Sequence, residues 1–153
     1  ELVEHLNSEK ESPLYQRIDM TGEQPKIVIK QGSLAPEIQT FLNKKTALKD
    51  EGFDLQAEVL MKLFAAVREK DPDGWYRSDG PLYRARVFRA VLKLLPEMLR
   101  RIHKEGKDLS ARDFYSYMKR INLESLSDQR LKAVHGNAGI AAITRTIQSQ
   151  IFK

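Results

Sequence analysis

The chain has 153 residues, of which 41% are apolar, with no cysteine and a formal net charge of +5. That length predicts one domain with enough apolar matter for a core, and the lack of cysteine excludes disulfides and thiolate metal sites, in agreement with a reducing, cytoplasmic setting. His5, His103 and His135 match no ligand spacing, no apolar run approaches the ~20 residues of a membrane span, and the acidic start is unlike a signal peptide. No metal, no cofactor and no membrane contact are therefore expected.

Residues 1 to 33, punctuated by Pro13, Gly22, Pro25 and Gly32, read as the least helical part. Within them the β-branched run from Lys26 to Lys30 predicts one short strand or an extended arm. Pro36 opens a helix to about Leu48, with Ile38, Phe41 and Leu42 on one face, which Asp50-Glu51-Gly52 breaks. Asp54 caps a second helix to about Lys70 with Leu55, Val59, Leu63 and Phe64 as its apolar stripe. Asp71-Pro72-Asp73-Gly74 is a turn. Asp79 or Gly80 then caps, and Pro81 suits the first position of a long helix to Lys104, ended by Glu105-Gly106. Pro96 inside it removes a hydrogen bond, so this helix either kinks or is two collinear pieces.

Ser110 begins a short helix to about residue 120, where Ser110 and Asp113 make an imperfect capping box. A further helix runs from Glu124 to Val134, followed by the glycine-containing stretch His135 to Gly139. The last helix, Ile140 to Phe152, carries Ile140, Ile143, Ile147 and Ile151 on one face. The expected fold class is all-α: a bundle-like domain of about five or six helices, with residues 1–50 a partly extended N-terminal appendage and 54–153 the helical core.

The long helix carries the main functional signal. At about 100° per residue, Ala85, Phe88, Leu92, Leu95, Leu99 and Ile102 share a side with Val87, Val91, Leu94 and Met98. On the other side lie Arg86, Arg89, Lys93, Arg100, Arg101 and Lys104, the candidate binding residues. From Pro81 to Lys107 eight basic residues face two acidic ones, so this segment exceeds the net charge of the whole chain. Arginines in such a stripe suit phosphates or an acidic protein; the same stripe also suits an ordinary solvated face neutralised by neighbouring carboxylates.

Arg84 points by helical phase toward the apolar side, where it needs a carboxylate or carbonyl partner, most simply in a salt bridge. Trp75, Tyr76 and Tyr83 near the helix start, and Phe114, Tyr115 and Tyr117 further on, either stack on bases or plug the core. His135 to Gly139 is either a phosphate cradle or a turn between helices. None of the eight glycines forms G-x-x-x-x-G-K-[ST] or G-x-G-x-x-G, and no serine, histidine and acid fall in a catalytic motif. The chain itself is expected to be no enzyme.

Gly74-Trp75, Ser78-Asp79-Gly80 and Tyr83-Arg84-Ala85-Arg86 precede an apolar helix through Leu94-Leu95 and Met98-Leu99. Glu105-Gly106, Leu109, Ser110, Tyr117 and Leu123-Glu124-Ser125-Leu126 follow. In this pattern the stretch from Asp73 to about Leu126, roughly a third of the chain, resembles the helical insert of type IV secretion and conjugation coupling proteins. The resemblance implies an all-α domain inserted in a RecA-like motor ATPase, whose homo-hexameric parent is anchored at the cytoplasmic face of the bacterial inner membrane. It further implies recognition of DNA, a relaxase complex or an adaptor protein by a domain that is a monomer in isolation. Walker motifs would then lie elsewhere in the parent, and the absence of an initial methionine agrees with a piece of a larger protein. A free-standing helical nucleic-acid-binding regulator remains the alternative.

Overall fold

The computed structural model describes residues 2–24, 27, 29–43, 51–77, 79–106, 109–126 and 136–153. The chain is all-α: seven helices, one 3-10 turn and a two-stranded sheet of two residues per strand are found among the described residues. Its first element corrects the expectation for the N-terminus. α1 (Leu2–Ser8) is helical, and Leu2, Val3 and Leu6 turn one face of it into the core. Gln16, with φ of 54°, reverses the chain and donates its N–H to the Asn7 carbonyl at 2.8 Å. Asn7 Oδ1 in turn accepts from the Ile18 N–H at 2.9 Å, which fixes β1 (Ile18–Asp19) against α1.

β1 pairs in parallel with β2 (Ile29–Lys30), Ile18 opposite Ile29 and Asp19 opposite Lys30. Of the strand expected over 26–30, Ile29 and Lys30 are strand and Ile27 is not, while Lys26 and Val28 lie outside the described residues. The loop between the strands closes around the Asp19 carboxylate, which accepts from the Thr21, Gly22 and Gln24 N–H groups and from Lys30 Nζ at 2.7 Å. The Lys30 bond, opposed by burial and aided by the three amides, holds this carboxyl well below the usual range. Leu14, Ile18, Ile29 and Leu34 belong to the same apolar cluster as the long helix, so the N-terminal segment is built into the core instead of hanging from it.

α2 (Gln31–Asn43) begins five residues earlier than Pro36, which lies inside it. Residues 44–48 of the expected helix lie outside the described residues. α3 (Phe53–Lys70) starts from Gly52, in extended conformation, so Asp54 sits in its first turn, where a carboxylate favours the helix dipole, and does not cap it. Val59, Leu60, Leu63, Phe64 and Val67 are buried, whereas Leu55 is exposed. The expected turn at 71–74 winds into a single helical turn, α4 (Pro72–Trp75), capped by the Asp71 side chain accepting from the Gly74 N–H at 3.2 Å.

α5 (Ala85–Lys104) starts four residues later than Pro81, and its N-cap is Arg84, not Asp79 or Gly80. Two contacts accompany the delay. A Cβ on Gly80 would come within 1.9 Å of the Gly74 carbonyl oxygen, so this glycine serves a backbone-on-backbone approach. Leu82 and Tyr83 then run irregularly into the core, and Tyr83 donates its hydroxyl to the Arg17 carbonyl at 2.8 Å. α5 continues through Pro96 as one element, and Gly106, with φ of 71°, follows its C-cap.

α6 (Ala111–Met118) has the full capping box at Ser110 and Asp113 and ends two residues earlier than expected. Residues 123–126 form a 3-10 turn; the remainder of the helix expected over 124–134 lies outside the described residues. α7 (Gly136–Ile151) begins at Gly136, so 136–139 form its first turn, and His135 lies outside the described residues. Gly139, Ile140, Ile143, Ile147 and Ile151 line its buried face.

α5 is the central helix, with α2 along one flank and α7 along another, while α3 packs on α6. Phe88 joins the two layers. Its ring meets Phe64 of α3 at 4.9 Å and stacks on Trp75 at 5.5 Å, with Tyr83 edge-on at 5.7 Å. No described helix is long and apolar enough to cross a membrane.

Candidate partner-binding face of the long helix

Half of the residues of α5 are buried, and they take up most of its circumference. The cations emerge along what remains, a narrow stripe in the order Arg86, Arg89, Lys93, Arg100, Arg101 and Lys104, with Glu97 as its single acid. The structure divides this stripe into two halves with different surroundings.

In the first half, α2 supplies Glu37. Its Oε1 lies 3.1 Å from Arg89 Nε and 3.4 Å from Lys93 Nζ, and its side chain is only 8% exposed. A carboxylate removed from water to that degree needs the two cations, and they in turn lock α2 onto α5. Arg89 and Lys93 are thereby engaged in the fold, and Arg86 beside them is half-buried.

In the second half the acid is local. Glu97 accepts two hydrogen bonds from Arg100, at 2.7 and 2.8 Å, and one from Arg101 at 2.9 Å. These bonds, Arg100's first, lower the Glu97 pKa to about 2, and the same pairing raises that of Arg100. The Arg101 guanidinium also lies over the Phe152 ring at 4.5 Å, which ties α5 to the end of α7. Even so, 58% of the Arg100 side chain faces solvent, and Lys104 is exposed and makes no ion pair among the described residues. The geometry brings Arg100, Arg101 and Lys104 together as an accessible basic end of the helix. It separates them from Arg89 and Lys93.

The remaining candidates resolve into structure. Arg84 lies outside α5, and its Nε donates to the Gly80 carbonyl at 3.4 Å. Trp75, Tyr83, Phe114 and Tyr117 are buried, so they are core residues; Tyr76 alone of the six aromatics is well exposed. Tyr83 donates its hydroxyl to the Arg17 carbonyl at 2.8 Å, and burial raises its pKa against the opposing pull of the Arg17 charge. Among the described residues no group of three His, Asp or Glu side chains could hold a metal ion.

Sequence reasoning missed two things. One is Glu37, which no local pattern links to a helix 52 positions away. The other is how much basic charge is consumed at carbonyls. Lys62 Nζ donates to Leu109 O, Lys70 Nζ to Lys119 O and Arg120 to Ile151 O, and Arg17 donates to Trp75 O. Three of these oxygens lie at or beside the ends of α4, α6 and α7, where a helix leaves carbonyls without intrahelical donors and its dipole favours cations. No local pattern signals these bonds, because each donor and its carbonyl lie 31 to 58 positions apart.

Comparison with protein-family models, with curated proteins and with solved structures finds no match.

Proposed function

We propose that the chain is a non-catalytic substrate-recognition domain of a type IV secretion or conjugation coupling ATPase, which meets an anionic partner through the exposed basic end of α5. The partner class is DNA, a relaxase complex or an acidic adaptor protein. The observation that carries this reading is the C-terminal half of the stripe, where Arg100 and Lys104 remain in solvent although the other half of the stripe is held against Glu37. Cations one helical turn apart on a rigid element match the spacing at which phosphates or carboxylates are contacted together. The coupling-protein assignment rests on the sequence pattern from Asp73 to Leu126, and the all-helical architecture agrees with it.

The test is anisotropy of a labelled DNA duplex titrated with the chain at about 50 mM salt and above. Weak, sequence-independent binding is expected, with log K falling against log salt by about 0.9 per contacted phosphate. Arg100→Gln with Lys104→Gln removes two contacts and lowers that slope by about 2. If the duplex does not bind, the same double variant is compared with the wild type for an acidic peptide. Loss of neither interaction overturns the reading.

A further inference from the structure

We propose that a groove along α3, remote from the α5 stripe, is a docking site for a basic segment of a protein partner, one with an apolar side chain set between lysines or arginines. Ala57, Met61 and Ala65 recur at every fourth residue of α3 and therefore share a face. Pro13 and Ala111 close the groove on either side, and its volume is about 430 Å³. Alanines leave this room, whereas Leu60, Leu63 and Phe64 fill the side of α3 that faces the core. The floor is thus apolar and small, with a pliable methionine at its centre, and suits one aliphatic side chain.

Charge decides which segment fits. The exposed carboxylates Glu9, Glu11, Asp54 and Glu58 form the rim, against Lys62, Arg68 and His5, which lies 4.0 Å from Glu9. Lys62 is already committed, 2.9 Å from Glu58 and donating to the Leu109 carbonyl at 3.0 Å. Glu11 and Asp54 meet no cation among the described residues, although the chain as a whole carries +5. A concave surface of this sign attracts cationic groups and repels the acidic partners suited to α5. The lining runs from Asp54 to Arg68, which at 1.5 Å per helical residue is about 21 Å, the length of roughly six extended residues. That shape calls for a peptide segment. No residue is shared with the α5 stripe, so the two proposals stand or fall separately.

The experiment measures anisotropy of a fluorescein-labelled peptide of lysines and arginines with one central leucine, titrated with the whole chain at about 50 mM salt. Glu11→Lys with Asp54→Asn, both exposed, is expected to weaken binding at least tenfold. Ala65→Leu, which fills the floor, is expected to weaken it about as much. Replacing the peptide's leucine by serine should reproduce the Ala65→Leu loss in the wild-type chain, with folding of each variant checked by circular dichroism. Absence of binding, equal binding of an acidic peptide, or loss with the rim variant but none with the floor variant overturns the proposal; the last result would mean charge attraction without a groove.

Discussion

The two halves of the α5 stripe contain the same residue types, two arginines and a lysine each, yet they do different work. Arg89 and Lys93 surround a carboxylate that arrives from another helix and is almost wholly buried, so their charge is part of how α2 is attached. Arg100 and Arg101 share Glu97 on their own helix, part-exposed, where an ion pair contributes little to stability and leaves Arg100 accessible. A basic stripe therefore acquires its role from the address of its counter-charge. One carboxylate between two cations looks the same in composition whether it lies inside the bundle or on its surface.

The largest effect expected comes from the element that both halves depend on. Phe88→Asp or Leu95→Asp places a charge among side chains with no exposure, and an unpaired buried charge costs several kcal/mol, comparable with a whole domain's stability of about 5–15 kcal/mol. Loss of the helical circular dichroism is expected, and an unchanged melt would mean that α5 does not pack as described.

Next comes the first half of the stripe. Arg89→Ala with Lys93→Ala leaves Glu37 buried without its cations and should cost about 2–3 kcal/mol in urea denaturation. In the second half Glu97→Gln, which removes the shared acid and leaves its cations in place, should cost less than about 1 kcal/mol, because that pair is largely solvated. If the two costs were equal, the contrast between the halves would vanish.

The smallest effect sharpens the same contrast through pH. The Glu97 carboxyl is depressed in the folded chain, so its contribution is present above the ordinary carboxylate pKa of about 4.3 and fades as pH falls toward about 2. Asp19 is depressed too, and it adds a loss in the same acid direction when its loop and Lys30 give up the carboxylate. Carboxyl-carbon NMR should therefore find Glu97 titrating below the ordinary carboxylate range, and because solvent screens the pair Glu97→Gln should flatten the acid limb of stability only slightly. A Glu97 midpoint near 4.3 would show that the arginines do not hold it.

Much of α5 was legible because periodicity reports burial directly. Phe88, Val91, Leu92, Leu95, Leu99 and Ile102 all lie in the core as their phase requires. The capping box at Ser110 and Asp113 was legible for a similar reason, since both partners lie within one turn. α1 was hidden because seven residues make too few turns to show a period, and the glycines and prolines after it dominate the local signal. The start of α5 was misplaced because Pro81 fits a helix well in isolation. The close approach of the Gly80 and Gly74 backbones, a tertiary contact, accompanies the later start. For the candidate stripe, the phase that sets these cations on the side of α5 away from the core was readable and the division between them was not, since Glu37 reaches the stripe through tertiary packing alone.

Arg17 has a consequence for the order in which the chain is assembled. Its guanidinium lies over the rings of Tyr83, Tyr76 and Trp75 and donates to the Trp75 carbonyl, and the Trp75 indole N–H donates to the Pro13 carbonyl. These contacts span roughly sixty positions, so an N-terminal segment leaving the ribosome finds its seat only after residues 75–83 have followed it out. Until then Leu14, Ile18 and Ile29 remain without the surface that covers them. A nascent chain halted before Tyr83 should accordingly be protease-sensitive over residues 2–24, and one released beyond α5 should be protected there.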